Sequence, residues 1–354
     1  MNFKHFYAAV MTLSLLTVGS ATAATNPTEL RIAVVASGTS GKLSFAGVPQ
    51  RIANDALFKA ELAKRNVKLT WVPVTTAAVA TLVNESFINK KIDFAFYGDL
   101  PAVILNTKGI STKLVVPGSV GNNVYLVVPT GSTAKSIADL KGKRIALHRG
   151  RPWEVNFGQL IASQNLKLQD FKIINLNPQA GAAALSAKGV DAFFTLSDAY
   201  NLVDKKLGKI IWSSQNLPPN WKMRAELWGS TDFINKYPQI TQLLADADVR
   251  AVHWISQEQN KRAYQQAQVQ FGQPLSVIQR DAANKTTSWK QDWSPVYNTA
   301  YLSAHYQKVI QHAYQNKLIS KPLNPNQLLA PQFTNTAIKN LKLEQYWSTG
   351  GTRP

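Results

Sequence analysis

Residues 141–154 read KGKRIALHRGRPWE, which predicts a strand, a basic turn and the start of a helix in immediate succession. Pro152 suits the first helical position, because the N–H group that proline lacks has no helical partner there in any case. The free N–H groups and the dipole of a helix start favour anions. Arg149 and Arg151 precede this helix start, so the stretch predicts an α/β unit with an anion-binding turn. A solvated basic turn is the alternative interpretation.

Strands and helices alternate on both sides of this unit. The predicted strands are residues 30–36, 68–74, 93–97, 113–117, 124–129, 144–147, 172–176, 191–195, 209–213 and 225–230. Such an alternation is typical of α/β folds in which helices cover both faces of a parallel sheet. The pattern occurs twice in series, which predicts two lobes of about 100 residues each. After residue 233 only helical patterns follow.

The composition excludes several classes of protein. The 354 residues carry a formal net charge of +19 and no cysteine, which rules out disulfides, a thiol nucleophile and cysteinyl metal sites. The sequence has no G-x-S-x-G motif, no P-loop and no metal-binding histidine spacing, so neither catalysis nor a cofactor is supported. The lysines are dispersed, which argues against nucleic-acid binding, while the positive charge favours an anionic ligand or partner.

The N-terminus predicts a secretory signal peptide, residues 1–24. Lys4 and His5 precede an apolar run at residues 6–18, and small residues follow up to Ala24, as at a signal-peptide cleavage site. The apolar run is shorter than the roughly 20 residues that span a bilayer. We therefore expect a protein that is exported to the periplasm and has no lipid anchor at a cysteine.

The candidate ligand-binding residues lie in the turns after the strands, because ligands of open α/β sheets bind beyond the carboxyl ends of strands. These turns are polar, contain glycine and occur in both halves, so a cleft between two lobes would collect them. Asp99 has a structural alternative, since it could cap a helix at Pro101. The candidates are Ser37, Gly38, Thr39, Ser40, Tyr97, Gly98, Asp99, Asn122, Asn123, His148, Arg149, Arg151, Trp153, Glu154, Thr195 and Asp198.

Four motifs, in this order, resemble those of one protein family. Residues 93–102, DFAFYGDLPA, resemble a strand that ends in G-[DE]-x-P, and residues 137–146, IADLKGKRIA, resemble S-x-x-D-L-K-G-K-K-V-A. Residues 181–193 resemble the helix and strand of A-[FL]-x-x-G-x-V-D-A, and Tyr237-Pro238 resembles the start of the C-terminal helices. Together they resemble the periplasmic substrate-binding proteins of ABC importers, in the branch that binds aliphatic sulfonates, taurine and nitrate.

This resemblance implies a type II periplasmic-binding-protein fold, in which two α/β lobes close by a hinge over a ligand in the cleft between them. It also implies a small anionic organic ligand, a permease partner in the inner membrane, and no catalysis. We expect a monomer. The crossovers between lobes would lie at Asn122-Asn123 and at about residues 230–233. Lobe I would comprise residues 25–122 and 233–345, lobe II residues 123–232, and a flexible tail residues 346–354.

One departure from the family's pattern bears on the ligand. Members that bind small sulfonates often read V-D-A-W-x-x-W-D-P, whereas residues 190–198 read VDAFFTLSD. The loss of both tryptophans leaves room, and Trp153 and Trp228 are aromatic residues that could line the pocket instead. We expect an organic sulfur oxyanion, a sulfonate or a sulfate ester, including aromatic ones. The alternatives are nitrate, phosphonate or a thiamine pyrimidine precursor on the same fold, and a precursor-forming enzyme.

Overall fold

The computed structural model describes residues 26–36, 44–269, 272–283 and 287–348. Strands and helices alternate through most of this length, as the sequence predicts. The strands are β1 (Glu29–Val35), β2 (Lys68–Val74), β3 (Phe94–Gly98), β4 (Thr112–Val116), β5 (Tyr125–Pro129), β6 (Arg144–Ala146), β7 (Lys172–Ile174), β8 (Ala192–Thr195), β9 (Gly208–Ser213) and β10 (Ala225–Ser230).

Helices follow most of the strands and fill the C-terminal third of the chain. Within the described ranges, none of them is long and apolar enough to cross a membrane. The helices are α1 (Gly47–Ala53), α2 (Ala56–Lys64), α3 (Val79–Ile88), α4 (Asp99–Thr107), α5 (Pro152–Ser163), α6 (Pro178–Ser186), α7 (Ala199–Asp204), α8 (Thr231–Lys236), α9 (Pro238–Ser256), α10 (Lys261–Val269), α11 (Leu275–Ala282), α12 (Trp289–Asp292), α13 (Thr299–Gln315) and α14 (Pro331–Asn340).

Two five-stranded sheets organise the chain into two α/β lobes. The first sheet has the order β2-β1-β3-β10-β4 and the second the order β7-β6-β8-β5-β9. Strand β10 runs antiparallel to β3 and β4, and β5 runs antiparallel to β8 and β9. The sheets are therefore mixed, and the expectation of parallel sheets was wrong for these two strands. Consecutive parallel strands of one sheet are joined by a crossover connection. Strands β5 and β10 instead enter their sheets directly from the other lobe, so this connection does not set their direction.

Two connections cross between the lobes side by side. The first joins β4 to β5 and the second joins β9 to β10. At this crossing Asn122 and Met223 exchange both backbone hydrogen bonds, with N···O distances of 2.8 and 2.9 Å. The second crossover lies before Ala225, not at residues 230–233, so β10 belongs to the first lobe although the predicted lobe II, residues 123–232, included it. An apolar pattern identifies a strand but not the sheet that it joins.

Each sheet is buried on both faces. In β1, Leu30 and Ile32 belong to a core cluster with α9 and α14, while Ala33 belongs to the opposite cluster with α4 and α13. In β6, Ile145 packs with α5 and Ala146 packs with α6 and α7. Neighbouring side chains of a strand point to opposite faces, so these clusters hold the strand ends of both lobes in fixed positions.

Two helices of the C-terminal region, α11 and α13, contact the second lobe. Helix α13 packs on α4 of the first lobe and on α5 of the second. In α11 the Asp281 carboxylate accepts a hydrogen bond from Asn123 Nδ2 at 3.0 Å, and Arg280 pairs with Asp204 at 2.5 Å. The helical region that the sequence assigned to lobe I therefore also ties the two lobes together.

Candidate functional site

A cavity of about 700 Å³ lies between the lobes, at the carboxyl ends of their strands. Its walls include the end of β3 and the start of α4 in the first lobe, and the starts of α5, α6 and α7 in the second. This is where ligands of open α/β sheets bind. The predicted candidates that line the cavity are Tyr97, Gly98, Arg151, Trp153 and Asp198.

Apolar and aromatic side chains predominate in the rest of the wall. They come from both lobes, so apolar surface faces an organic group from two sides, while polar side chains such as Thr76, Gln179 and Asn201 lie among them. The apolar residues include Val35, Val79, Phe96, Pro101, Leu196, Leu202, Met223 and Ala225.

The lobes touch at the contact between Gly98 and Pro152. Gly98 ends β3 and Pro152 opens α5, as predicted, with proline in the first turn of that helix. A β-carbon added to Gly98 would lie 1.9 Å from Cγ of Pro152, closer than atoms can approach. Glycine is needed here because any larger residue would push the proline ring, and α5 with it, away from the first lobe.

Arg151 is the buried cation of the cavity. It is 8% exposed, and its guanidinium lies 4.9 Å from the centre of the Trp153 ring. Its Nε and Nη1 atoms have no hydrogen-bond partner among the described residues, and no described carboxylate lies within 4 Å of it. Burial lowers the pKa of Arg151 to about 10, so the side chain stays charged at neutral pH.

Arg149, the other predicted anion-binding residue, is paired with a carboxylate. Its Nε donates to Glu154 Oε1 at 2.6 Å, and the Gly150 N–H donates to Glu154 Oε2 at 2.5 Å. Glu154 is fully buried, and His312 of α13 lies 3.7 Å from its Oε1. Burial alone would raise the pKa of Glu154, but His312, Arg149 and the Gly150 N–H together lower it. Glu154 therefore neutralises Arg149.

Asp198 places a carboxylate in the same cavity. The Thr195 hydroxyl donates to its Oδ1 at 2.7 Å, and the Leu196 N–H donates to Oδ1 at 3.1 Å. Burial raises the pKa of Asp198 to about 6. The half-buried Asp198 follows β8 and Arg151 follows β6, two adjacent parallel strands, so both charges stand on the wall of the second lobe.

Other predicted candidates lie outside the cavity lining. Asp99 bonds His305 Nε2 at 2.7 Å, and the ring of His148 lies 6.0 Å from that of Trp153. Burial, and then the charge of Arg151, lower the pKa of His148 to about 4. Thr195 is buried beneath Asp198. Ser37, Gly38, Thr39 and Ser40 lie outside the described residues.

Three further candidates, Asn122, Asn123 and Trp228, do not line the cavity and make contacts within the fold instead. Asn122 pairs with Met223 where the two crossovers meet, and Asn123 accepts a hydrogen bond from the buried Lys222 at 2.7 Å. Trp228, predicted as a pocket aromatic, is fully buried in the core of the first lobe. There its ring packs edge-on against Tyr97 and Tyr306. Its place in β10, with the core on that face of the sheet, keeps it from the cavity.

Comparison with known proteins identifies the family of this chain. Residues 58–226 match the family described as "ABC transporter, phosphonate, periplasmic substrate-binding protein". The chain is 44% identical to the "putative sulfonate ABC transporter, periplasmic sulfonate-binding protein SsuA" of Methylobacillus flagellatus KT, covering 92% of this chain and 98% of that one with a TM-score of 0.81. This chain belongs to the periplasmic substrate-binding proteins of ABC transporters.

Two curated relatives match shorter parts of this binding protein. The "Taurine-binding periplasmic protein" of Escherichia coli K12 is 24% identical over 173 residues, 46% of this chain and 53% of that protein. A "Putative binding protein" of Brucella abortus is 29% identical over 101 residues, 28% of this chain and 30% of the other. The binding protein thus spans under a third of the length of the Brucella protein in that match.

Several cavity residues of the binding protein were not predicted. Thr76 follows β2, Gln179 opens α6, and Asn201 lies in α7 just after Asp198, so the strand-end rule could have found them. Gln273 lies between α10 and α11, and nothing in that helical stretch signals a ligand. Among the described residues no group of three or more His, Asp or Glu side chains could hold a metal ion.

Proposed function

We propose that this binding protein captures an organic sulfur oxyanion, a sulfonate or a sulfate ester, in the cavity between its lobes. The observation that carries the proposal is the guanidinium of Arg151, which is buried, charged and without a described carboxylate partner in the wall of that cavity. A buried charge is costly unless it is paired. An anionic ligand would supply the missing partner, and arginine offers an oxyanion two parallel donors.

The charge balance of the site disfavours a dianion, because the Asp198 carboxylate lines the same cavity as Arg151. Glu154 neutralises Arg149, so among the described residues that line the cavity Arg151 is the buried cation left for the ligand. A sulfonate or sulfate ester carries one negative charge at neutral pH, whereas a phosphate-like group approaches two. The second charge of a phosphonate would be only weakly compensated, although Lys205 at the exposed rim lies along the same cavity.

The volume and the wall of the cavity favour an organic ligand over nitrate. About 700 Å³ lies within the range of small-molecule sites, and a bare inorganic anion would leave most of it unfilled. Phe96, Tyr97 and Trp153 line the cavity and offer apolar surface to an alkyl or aromatic tail. The name of the Methylobacillus relative, a sulfonate-binding protein at 44% identity, supports the same class of ligand.

Phosphonate is the second candidate, because the matching family is described by that ligand. Isothermal titration calorimetry of the protein without its signal segment would compare alkyl and aryl sulfonates, sulfate esters, nitrate and matched phosphonates. We expect a sulfonate or sulfate ester to bind most tightly. A phosphonate that binds more tightly than its sulfonate counterpart would refute the proposed ligand class.

Arg151→Gln tests the site itself. Loss of one partner of a desolvated charge pair should weaken binding by about 100-fold. Arg144→Gln is the matched control, because Arg144 lies in the same lobe but pairs with Asp191 away from the cavity. Equal affinities of the Arg151 variant and the wild type would contradict the assignment of Arg151.

We further propose that closure of the two lobes over the ligand delivers it to a permease of the inner membrane, and that residues 1–24 direct export to the periplasm. The side-by-side crossovers at Asn122 and Met223 offer a hinge for such a motion. Small-angle scattering with and without ligand would measure closure, and fractionation of cells would measure localisation. An unchanged radius of gyration, or retention of the uncleaved chain in the cytoplasm, would contradict these proposals.

A further inference from the structure

One segment of the C-terminal region leaves the first lobe, docks on the second and returns. Helix α10 packs on α1 and α9 of the first lobe, and α12 packs on α9 again. The helix between them, α11, is hydrogen-bonded to side chains of the second lobe. Contact through α11 therefore adds to the two crossovers, and α11 has to stay with one lobe if the lobes move apart.

Side chains of the second lobe hold the end of α11. The last carbonyls of a helix have no partner within it, and Gln215 Nε2 donates to those of Arg280 and Ala283 at 2.5 and 2.9 Å. The Arg280 guanidinium donates twice to the Asp204 carboxylate, at 2.8 and 2.5 Å, and lies 4.5 Å from the centre of the Tyr200 ring. Helices shorter than about 12 residues are marginal alone in water, so these contacts fix α11 on the second lobe.

Asp281 joins the same end of α11 to the crossovers. Asn123 Nδ2 donates to the Asp281 carbonyl at 2.9 Å and to its Oδ1 at 3.0 Å, and the Tyr125 hydroxyl donates to Oδ1 at 2.5 Å. Asn123 lies in the first crossover and accepts a hydrogen bond from Lys222, just before Met223 in the second. The end of α11 is therefore held by the second lobe at the point where the chain enters it.

The other end of this segment reaches the cavity through Gln273. This residue lies two positions before α11, and it lines the cavity. Its Oε1 atom is buried and has no hydrogen-bond partner in the part of the chain that the structure describes. A buried carbonyl oxygen without a donor costs free energy. A ligand group that donates a hydrogen bond would remove this cost.

We propose that Gln273 is a ligand-contacting residue, which accepts a hydrogen bond from a donor on the organic tail, and that Asp281 positions it by fixing α11 to the second lobe. This inference rests on the function proposed above, because it requires a ligand in the same cavity. Arg151 also belongs to the second lobe, so the groups that bind the oxyanion and the tail stay together when the lobes move. Asp281 does not line the cavity and acts through Gln273.

Two matched ligands test the contact by isothermal titration calorimetry: propane-1-sulfonate, and 3-hydroxypropane-1-sulfonate, which adds one hydrogen-bond donor. We expect the wild type to bind the hydroxylated ligand about tenfold more tightly, as one buried hydrogen bond contributes. Gln273→Leu keeps the approximate size of the side chain and removes the acceptor, so it should abolish this preference while propane-1-sulfonate binds as before. Equal affinities of the wild type for the two ligands, or a preference that survives Gln273→Leu, would overturn the contact.

A double-mutant cycle tests the positioning role. Asp281→Ala removes the carboxylate that Asn123 and Tyr125 bind, and it should reduce the preference about as much as Gln273→Leu does. In the Gln273→Leu background the same change should have no further effect on the preference, because residues that act as a unit are not additive. Asp281→Asn keeps an acceptor oxygen and should retain most of the preference.

Asp170→Asn is the matched control, because it changes a carboxylate of the same lobe that pairs with Lys141, and it should keep the full preference. Additive losses from Asp281→Ala and Gln273→Leu would overturn the positioning role. Failure of both sulfonates to bind the wild type would instead refute the proposed function. Propylphosphonate and 3-hydroxypropylphosphonate then replace them in the same comparison, which tests the Gln273 contact separately from the oxyanion.

Discussion

Cγ of Pro152 occupies the space that a side chain on Gly98 would need, with 1.9 Å between it and an ideal β-carbon on Gly98. The two residues come from different lobes, and both line the cavity. The lobes can therefore approach this closely at this point only because Gly98 has no side chain.

Gly98→Ala should prevent full approach of the lobes. We expect ligand affinity to fall by about tenfold or more, because the added methyl group displaces Pro152 and with it Arg151. Calorimetry measures the affinity, and small-angle scattering of the ligand-saturated protein should give a larger radius of gyration. Gly131→Ala is the control, since its β-carbon would meet nothing within 4 Å. Wild-type affinity in the Gly98 variant would show that the contact relaxes without consequence.

Arg149→Gln should destabilise the fold. It leaves the Glu154 carboxylate buried with His312 and the Gly150 N–H as partners, and loss of one partner of a buried pair costs about 3 kcal/mol. Lys141→Gln breaks an exposed pair with Asp170 and should cost under about 1 kcal/mol. Urea unfolding of both variants measures the difference, and equal costs would contradict the buried pairing.

The pairing of Glu154 also sets a pH dependence. Its pKa is lowered in the folded state, so the stabilisation is fully present above the pKa of the unfolded chain and is lost as the pH falls through the folded value. The wild type should therefore lose more free energy of unfolding than Arg149→Gln between neutral pH and the acid range below about pH 4.5. Parallel losses in the two proteins would assign the acid sensitivity to other carboxylates.

Asp198→Asn should stabilise the ligand-free protein near neutral pH. Burial raises the pKa of Asp198 to about 6, above that of an unfolded carboxyl group, so the stability present at low pH is lost as the pH rises through the folded value. The half-buried position screens this cost to about 1 kcal/mol. Urea unfolding should show a more stable variant at about pH 7.5 and no difference near pH 3. A less stable variant at neutral pH would mean that the hydrogen bonds from Thr195 outweigh burial.

Trp228→Leu should reduce stability without changing ligand affinity. The side chain is completely buried and does not line the cavity, since it packs between Tyr97 and Tyr306 in the core. Removal of a large buried ring costs about 2 to 4 kcal/mol. Chemical unfolding and calorimetry give the two quantities. A large loss of affinity in a folded variant would return Trp228 to the ligand site.

The sequence sufficed to predict the two α/β lobes and the start of α5 at Pro152, because alternation and proline position are local signals. It could not distinguish Arg151 from Arg149. That distinction depends on Glu154, which His312 approaches from α13, far along the chain. Local patterns also could not predict that Gln273 lines the cavity or which sheet β10 joins, since long-range packing determines both.

The position of β10 also bears on the order in which the protein is completed. In the first sheet β3 and β4 are joined only through β10, which the ribosome makes after all five strands of the second sheet. The second lobe is one uninterrupted stretch of chain and can form its whole sheet as soon as β9 emerges. The lobe whose synthesis begins first is therefore the last to be finished, and a chain cut short before Ala225 would hold one complete sheet and one divided sheet.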